Sequence, residues 1–225
     1  SGFTLIEISV ALIIISLLLG GILKGQQLIN IAKEKQLESD FINLPQMIYS
    51  YQDKFKALPG DDIKAVSRFS STGHSVQNGD GENLITGDWF EFNPTKDSTI
   101  IWQHLRLAGL MDGETNMSST NYFPKNSLGK AIEIQSASSI ASESPILDGH
   151  GNALKGTYII CSRGISGELV MSLDIHLDDG NPSSGSVLAT EDNGTFTIAA
   201  SPATIGTNTM SDISRDNLYT VCMGV

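Results

Sequence analysis

The sequence predicts an α+β fold: a long N-terminal helix, apolar in its first half, packed on a C-terminal antiparallel β-sheet domain. Three observations lead there. Residues Phe3 to Leu23 form an apolar run interrupted by a single charge, Glu7. The next thirty or so positions carry apolar residues at three- and four-residue steps, the period of an amphipathic helix. From Ala57 the composition shifts to Gly, Ser, Asn, Asp and Pro, and short strand-like runs alternate with glycine-rich turns.

At a rise of about 1.5 Å per residue, the run from Phe3 to Leu23 makes roughly 30 Å of helix, about one hydrocarbon thickness. Its flanks argue against a secretory signal peptide, which has a shorter apolar core and a small-residue cleavage site after it. Here Lys24 follows at once, and Gly20, Gly21 and Gly25 do not form such an exit. The pattern then continues through Leu28, Ile29, Ala32, Leu37, Phe41, Leu44, Ile48 and Tyr49, so one helix over 3–56 is expected. Residues 3–23 form its apolar half and 24–56 its one-faced half, with a kink expected at Pro45. Residues 57–225 form the head, opened by the Pro59-Gly60 turn.

Within the head, Thr99 to Ala108 reads as a short helix with Gly109 at its exit. Its Trp102 and His104 read as packing and surface residues. Strands are expected at Ala131–Ile134, Thr157–Ser162, Glu168–Leu173, Thr195–Ala199 and Leu218–Cys222, with Arg163 to Gly167 as a turn. The head contains no repeat of 20–50 residues.

Composition excludes several function classes. With 14 Lys+Arg against 25 Asp+Glu the formal net charge is −11, and no basic cluster offers the stripe that phosphate backbones require. Direct nucleic-acid binding by the lone subunit is not expected. The four histidines, His74, His104, His150 and His176, are scattered, and neither H-E-x-x-H nor G-x-S-x-G is present. An enzyme is not expected. Apolar residues make up 40% of the 225 positions, enough for a folded chain with a sizeable core.

Glu7 needs a reason. An ionised carboxylate within an apolar span costs at least ~2.5–3.5 kcal/mol on insertion scales, so it calls for a partner. One answer is the positive end of the helix dipole; the other is a cation on a neighbouring copy. Gly2-Phe3-Thr4-Leu5-Ile6-Glu7 opening such a span resembles the processing and assembly signature of type IV pilins and of the pseudopilins of type II secretion. The motif covers about thirty residues of the chain.

The resemblance implies that Ser1-Gly2 is the end of a leader, that a prepilin peptidase cuts between Gly2 and Phe3, and that the new Phe3 amine is methylated. It further implies that Glu7 meets the Phe3 amine of an adjacent subunit. A slip by one subunit would leave a buried charge unpaired at a cost on the order of 3–5 kcal/mol, so the pair would set the stagger. The implied partners are further copies of this chain in a helical filament, the prepilin peptidase, an inner-membrane platform protein, an assembly ATPase and a secretin. The implied location is the inner membrane before assembly, then an extracellular pilus or a periplasmic pseudopilus. A monomeric membrane-anchored binding protein or enzyme is the reading from a different class.

In an exported, anchored domain the two cysteines, Cys161 and Cys222, are expected to form a disulfide, in keeping with the C-terminal disulfide loop of many pilins. Closing a loop of roughly 60 residues would stabilise the head by about 4 kcal/mol through the lost entropy of the unfolded chain.

Two acidic stretches carry the remaining chemistry. In Gln77 to Asn83, with Asp88 beyond, oxygen-bearing Asn78, Asp80 and Glu82 alternate with glycines, as in a loop that wraps Ca²⁺. Asn78, Asp80, Glu82 and Asp88 are therefore the candidate calcium ligands, although the bidentate glutamate of an EF-hand is not in its place. Leu177 to Pro182, with Asp178 and Asp179, reads more simply as a turn. Calcium is the one cofactor the sequence suggests.

Overall fold

The computed structural model describes residues 4–70, 73, 75–194, 213–215 and 217–225. A single helix, α1, runs unbroken over Leu5–Phe55. Pro45 lies within it: proline removes one N–H from the helical ladder, and here its ring turns into the core rather than to solvent. Lys56 ends the helix in the left-handed region, its N–H donating to the Gln52 carbonyl at 2.8 Å.

The buried residues of α1 are Leu37, Phe41, Leu44, Pro45, Ile48 and Tyr51. Steps of four and three keep them on one stripe. That stripe faces a four-stranded antiparallel sheet made of β1 (Ile132–Ser136), β2 (Tyr158–Ser166), β3 (Val187–Glu191) and β4 (Leu218–Gly224), in the order β1-β2-β4-β3. Alternation along the strands sends Ile132, Ile134, Tyr158, Ile160, Val187, Ala189, Tyr219 and Val221 to the helix side. Ile159, Cys161, Leu188 and Cys222 point the other way, under Trp89, Ile146 and Leu154. The sheet is thus covered on both faces, by a large core against the helices and a smaller one around the cysteines.

Three shorter helices complete the head: α2 (Ala65–Phe69), α3 (Asp97–Leu107) and α4 (Gly167–Leu177). α3 contributes Ile101, Trp102 and Leu105 to the main core. α4 packs beside α1, where Ser172 Oγ donates to Glu34 Oε1 and His176 lies 3.8 Å from both Glu34 and Glu38.

The strand expected at Glu168–Leu173 is instead the first part of α4. Val170, Leu173, Asp174 and Leu177 share one helical face, and both Val170 and Leu173 are fully buried. The turn expected at Arg163 to Gly167 is instead the far end of β2, which reaches Ser166 by a shift of register between Ser162 and Ile165. Gly164, at φ 64°, takes the bulge conformation that a side chain would resist. β3 was not anticipated from the sequence. The strand expected at Thr195–Ala199 lies outside the described residues, as do His74, Gly2 and Phe3.

Candidate functional site

The N-terminal segment starts at a capping box. Thr4, in extended conformation, caps α1: its Oγ1 accepts from the Glu7 N–H at 3.4 Å, and Glu7 Oε2 accepts from the Thr4 N–H at 2.8 Å and from its hydroxyl at 2.6 Å. Glu7 therefore has a partner inside its own chain, through one of its two oxygens. Thr-x-x-Glu is the sequence sign of this arrangement, and Thr4 is the partner it supplies within the chain.

From there the helix is apolar and bare. An 18-residue window has a mean hydropathy of 2.6 and none of it is buried; Leu5 is 89% and Leu17 73% exposed. By length and composition this segment can cross a membrane. Its polar groups are satisfied within the helix, as hydrocarbon requires: Ser9 Oγ donates to the Ile6 carbonyl at 2.9 Å and Ser16 Oγ to that of Leu12 at 2.8 Å.

At the other end of α1, the chain turns through Pro59-Gly60 into the first acidic cluster. Carboxylate oxygens of Asp61, Asp80 and Asp97 lie within 4.8 Å of one another. Of the four expected calcium ligands only Asp80 belongs to this group. Asn78 Oδ1 instead accepts from the Val66 N–H at 2.8 Å, and the Glu82 side chain is exposed.

The loop over 79–83 wraps a carboxylate. Asp61 Oδ1 accepts from the N–H groups of Gly81 and Glu82 at 2.5 and 2.9 Å, and Oδ2 from that of Asn83 at 2.7 Å. Three successive amides converging on one anion form a nest. Gly79 lies so close to the Asp61 backbone that a Cβ there would collide with it. Burial raises the Asp61 carboxyl above its ordinary value, and the three amides oppose the rise. Asp97, likewise raised by burial, accepts from the Thr86 N–H at 3.0 Å and hydroxyl at 2.6 Å.

His104, expected at the surface, is fully buried behind this loop. Its Nδ1 accepts from the Gly60 N–H at 2.9 Å and its Nε2 lies 2.8 Å from the Gln77 carbonyl, so the proton sits on Nε2. Burial lowers its pKa and keeps the ring neutral. His104 thus pins the Pro59-Gly60 turn to the 77–83 loop.

A second acidic cluster lies at the end of α4. One oxygen each of Asp174, Asp178 and Asp179 falls within 4.8 Å of the others. Asp174 is fully buried, and the backbone N–H groups of Gly180 and Asn181 face its carboxylate. Burial, then the charges of Asp179 and Asp178, push its carboxyl up to about 7. Asp61 and Asp97 are distant in sequence from Asp80, so only the fold brings them to it, whereas Asp174 lies four and five residues before Asp178 and Asp179.

The disulfide joins Cys161 of β2 to Cys222 of β4, directly opposite in register and 61 residues apart. It encloses α4, the second acidic cluster and β3. Comparison of the chain with family models, with curated proteins and with solved structures finds no match.

Proposed function

We propose that the chain is a structural subunit that polymerises through its N-terminal helix into a type IV pilus filament, serving adhesion, motility or DNA uptake. The observation that carries this reading is the first half of α1. It is a helix of membrane-spanning length and apolarity with no buried residue, continuous with a second half that is locked into a folded head. Such a surface has to be covered, by lipid or by copies of itself. The G-F-T-L-I-E opening favours both in succession, lipid before assembly and a bundle of equivalent helices afterwards.

Moving the apolar half from lipid to a helix bundle gains little from hydrophobic transfer, so packing and the pairing of Glu7 drive the step. Glu7 is suited to this because Thr4 occupies only Oε2. The second oxygen remains for the Phe3 amine of a neighbour once a prepilin peptidase has exposed it. A platform protein, an assembly ATPase and a secretin complete the machinery implied by the resemblance. The pseudopilin reading shares all of this chemistry and differs in the length and location of the filament.

The test is electron microscopy of sheared surface filaments, with mass spectrometry of the N-terminal peptide. Filaments containing this chain with a methylated N-terminal Phe3 support a surface pilin. Processing at Phe3 with retention in the membrane fraction and no surface filament shifts the reading to a pseudopilin. An unprocessed N-terminus removes the pilin reading altogether and leaves a monomeric anchor.

A further inference from the structure

Where the apolar half of α1 meets the head, the fold leaves a groove of about 380 Å³. It lies between residues 27–34 of α1, Leu128 at the tip of a hairpin, and residues 166–172 at the start of α4. The hairpin is fixed in place. Lys125 and Ala131 bridge its arms, Asn126 Oδ1 accepts from the Leu128 and Lys130 N–H groups at 2.9 and 3.0 Å, and Ser127 Oγ donates to the Lys33 carbonyl at 3.0 Å. The groove begins four residues beyond Leu23, about 6 Å past the end of the apolar run. The polar layer of a bilayer is roughly 5–7 Å thick on each side. Leu28, Ile29 and Ile31 are 59, 56 and 47% exposed, so apolar surface continues from the span to the groove, while Lys24 can extend its ammonium towards water.

The polar groups that line the groove are of both signs. The side chains of Asn30, Lys33 and Ser166 offer donors, and Glu168 offers a carboxylate; none of the four has a hydrogen bond or ion pair among the described residues. Lys33 and Glu168 thus share one groove without pairing with each other. The other carboxylate in the lining, Glu34, is already engaged by the Ser172 hydroxyl and lies 3.8 Å from His176. Ile31, Leu128 and Leu169 supply apolar wall between these groups. A purely anionic headgroup would meet Lys33 but set its charge against Glu168. A zwitterion carrying a phosphate and an ammonium meets both.

We propose that this groove seats the headgroup of a phospholipid that bears a primary ammonium. Asn30, Lys33 and Ser166 receive the phosphate, Glu168 the ammonium, and Ile31, Leu128 and Leu169 the glycerol end of the acyl chains. A primary ammonium carries three N–H donors for the carboxylate, whereas a quaternary one carries none. Seated this way, the lipid ties α1, the hairpin and α4 to the bilayer at one height and rotation of the head. The inference rests on the reading of the apolar half of α1 as a membrane span, and it does not depend on whether the chain polymerises.

The test uses the full chain in nanodiscs made of equal parts phosphatidylethanolamine, phosphatidylglycerol and phosphatidylcholine. The chain is then released into mild detergent, and native mass spectrometry reads the lipid it retains. The wild type is expected to keep phosphatidylethanolamine about fivefold over each of the other two, the worth of one partly exposed charge pair. Lys33→Gln should lower retention of all three lipids. Glu168→Gln should keep phospholipid but lose the preference for ethanolamine over choline. Both residues lie outside the core, and the fluorescence of Trp89 and Trp102 checks that the head of each variant is folded. Equal retention of the three lipids by the wild type, or a preference unchanged in both variants, overturns the proposal and assigns the lipid to the bare helix. A preference for phosphatidylglycerol overturns it in favour of simple attraction between lysines and a negative surface. A folded chain that does not enter nanodiscs at all removes the membrane span, and the groove's role with it.

Discussion

Leu12, Leu17 and Leu19 in the first half of α1 are at least 56% exposed, whereas Leu37, Phe41 and Leu44 in the second half are at most 4% exposed. The side chains are alike and the helix is continuous, so local propensity cannot be the difference. In the second half the helix is held by tertiary packing: one stripe of large residues enters the sheet, while Leu28, Ile29, Ile31, Ile42 and Tyr49 stay exposed among polar residues. In the first half no stripe exists, and runs such as Ile13-Ile14-Ile15 are middling helix formers in water. There the helix depends on surroundings that forbid any unpaired backbone group. The second stretch thus packs on the head, while the first stays uncovered and, on the proposed reading, serves assembly.

The largest expected effect tests that separation directly. Phe41→Ala should cost the head about 3–5 kcal/mol, the range for truncating a buried aromatic that leaves a cavity. Leu17→Ala should leave head stability within ~0.5 kcal/mol of wild type, as surface changes do. Denaturant unfolding followed by the fluorescence of Trp89 and Trp102, both buried in the head, reports on both variants. Equal losses from the two would mean that the apolar half packs against the head after all.

Removing the disulfide comes next. Replacing Cys161 and Cys222 together by Ser should cost about 4 kcal/mol of head stability and leave α1 helical, because the bridge restrains the unfolded chain between β2 and β4 and touches neither half of the helix. Circular dichroism together with denaturant midpoints separates the two readouts.

The contrast also marks where the sequence speaks and where it is silent. The two halves of α1 are legible because each carries a long periodic signal, apolar throughout in one and stepped by three and four in the other. β1, β2 and β4 are legible as alternating runs bounded by glycine. α4 is not, because a window closed at Leu173 contains Leu169, Val170, Met171 and Leu173 in near-continuous succession, which fits a buried strand equally well. Extending it to Leu177 restores the helical face, but that face includes the charged Asp174, whose burial is a tertiary fact. The sites divide in the same way. Thr4 and Glu7 announce their capping box by spacing. Asp61 and Asp97 meet Asp80 only through the turn at Gly60 and the position of α3, so an acidic alternation around Asn78, Asp80 and Glu82 points to the right loop and mostly to other residues.

Acidity should act on the head and not on the apolar half. Glu133 is 8% exposed on the cysteine side of the sheet, opposite Cys161, and burial pushes its carboxyl up to about 7 from the ordinary 4.5, against the pull of Arg163. A folded-state pKa above the unfolded one contributes stability that is complete below about 4.5 and lost as the pH rises through about 7. Glu133→Gln should therefore match wild type near pH 4 and exceed it by roughly 2–3 kcal/mol above pH 8. Denaturant midpoints across that range measure it, and a difference that does not change with pH would assign the effect to packing.

The smallest energy belongs to the cap, and it separates two roles of one residue. Thr4→Ala removes the capping box at about 1 kcal/mol, which should appear as faster amide exchange in the first turn of α1 and nowhere in the head. Glu7→Ala removes the same box, so in the isolated subunit the two variants should look alike. They diverge on assembly if Glu7 pairs with the amine of a neighbouring Phe3: Thr4→Ala leaves that carboxylate in place and should still enter filaments, whereas Glu7→Ala should not. Were Glu7 only a cap, both variants would assemble to the same reduced extent, and a normally assembled Glu7→Ala filament would remove the pairing from the account entirely.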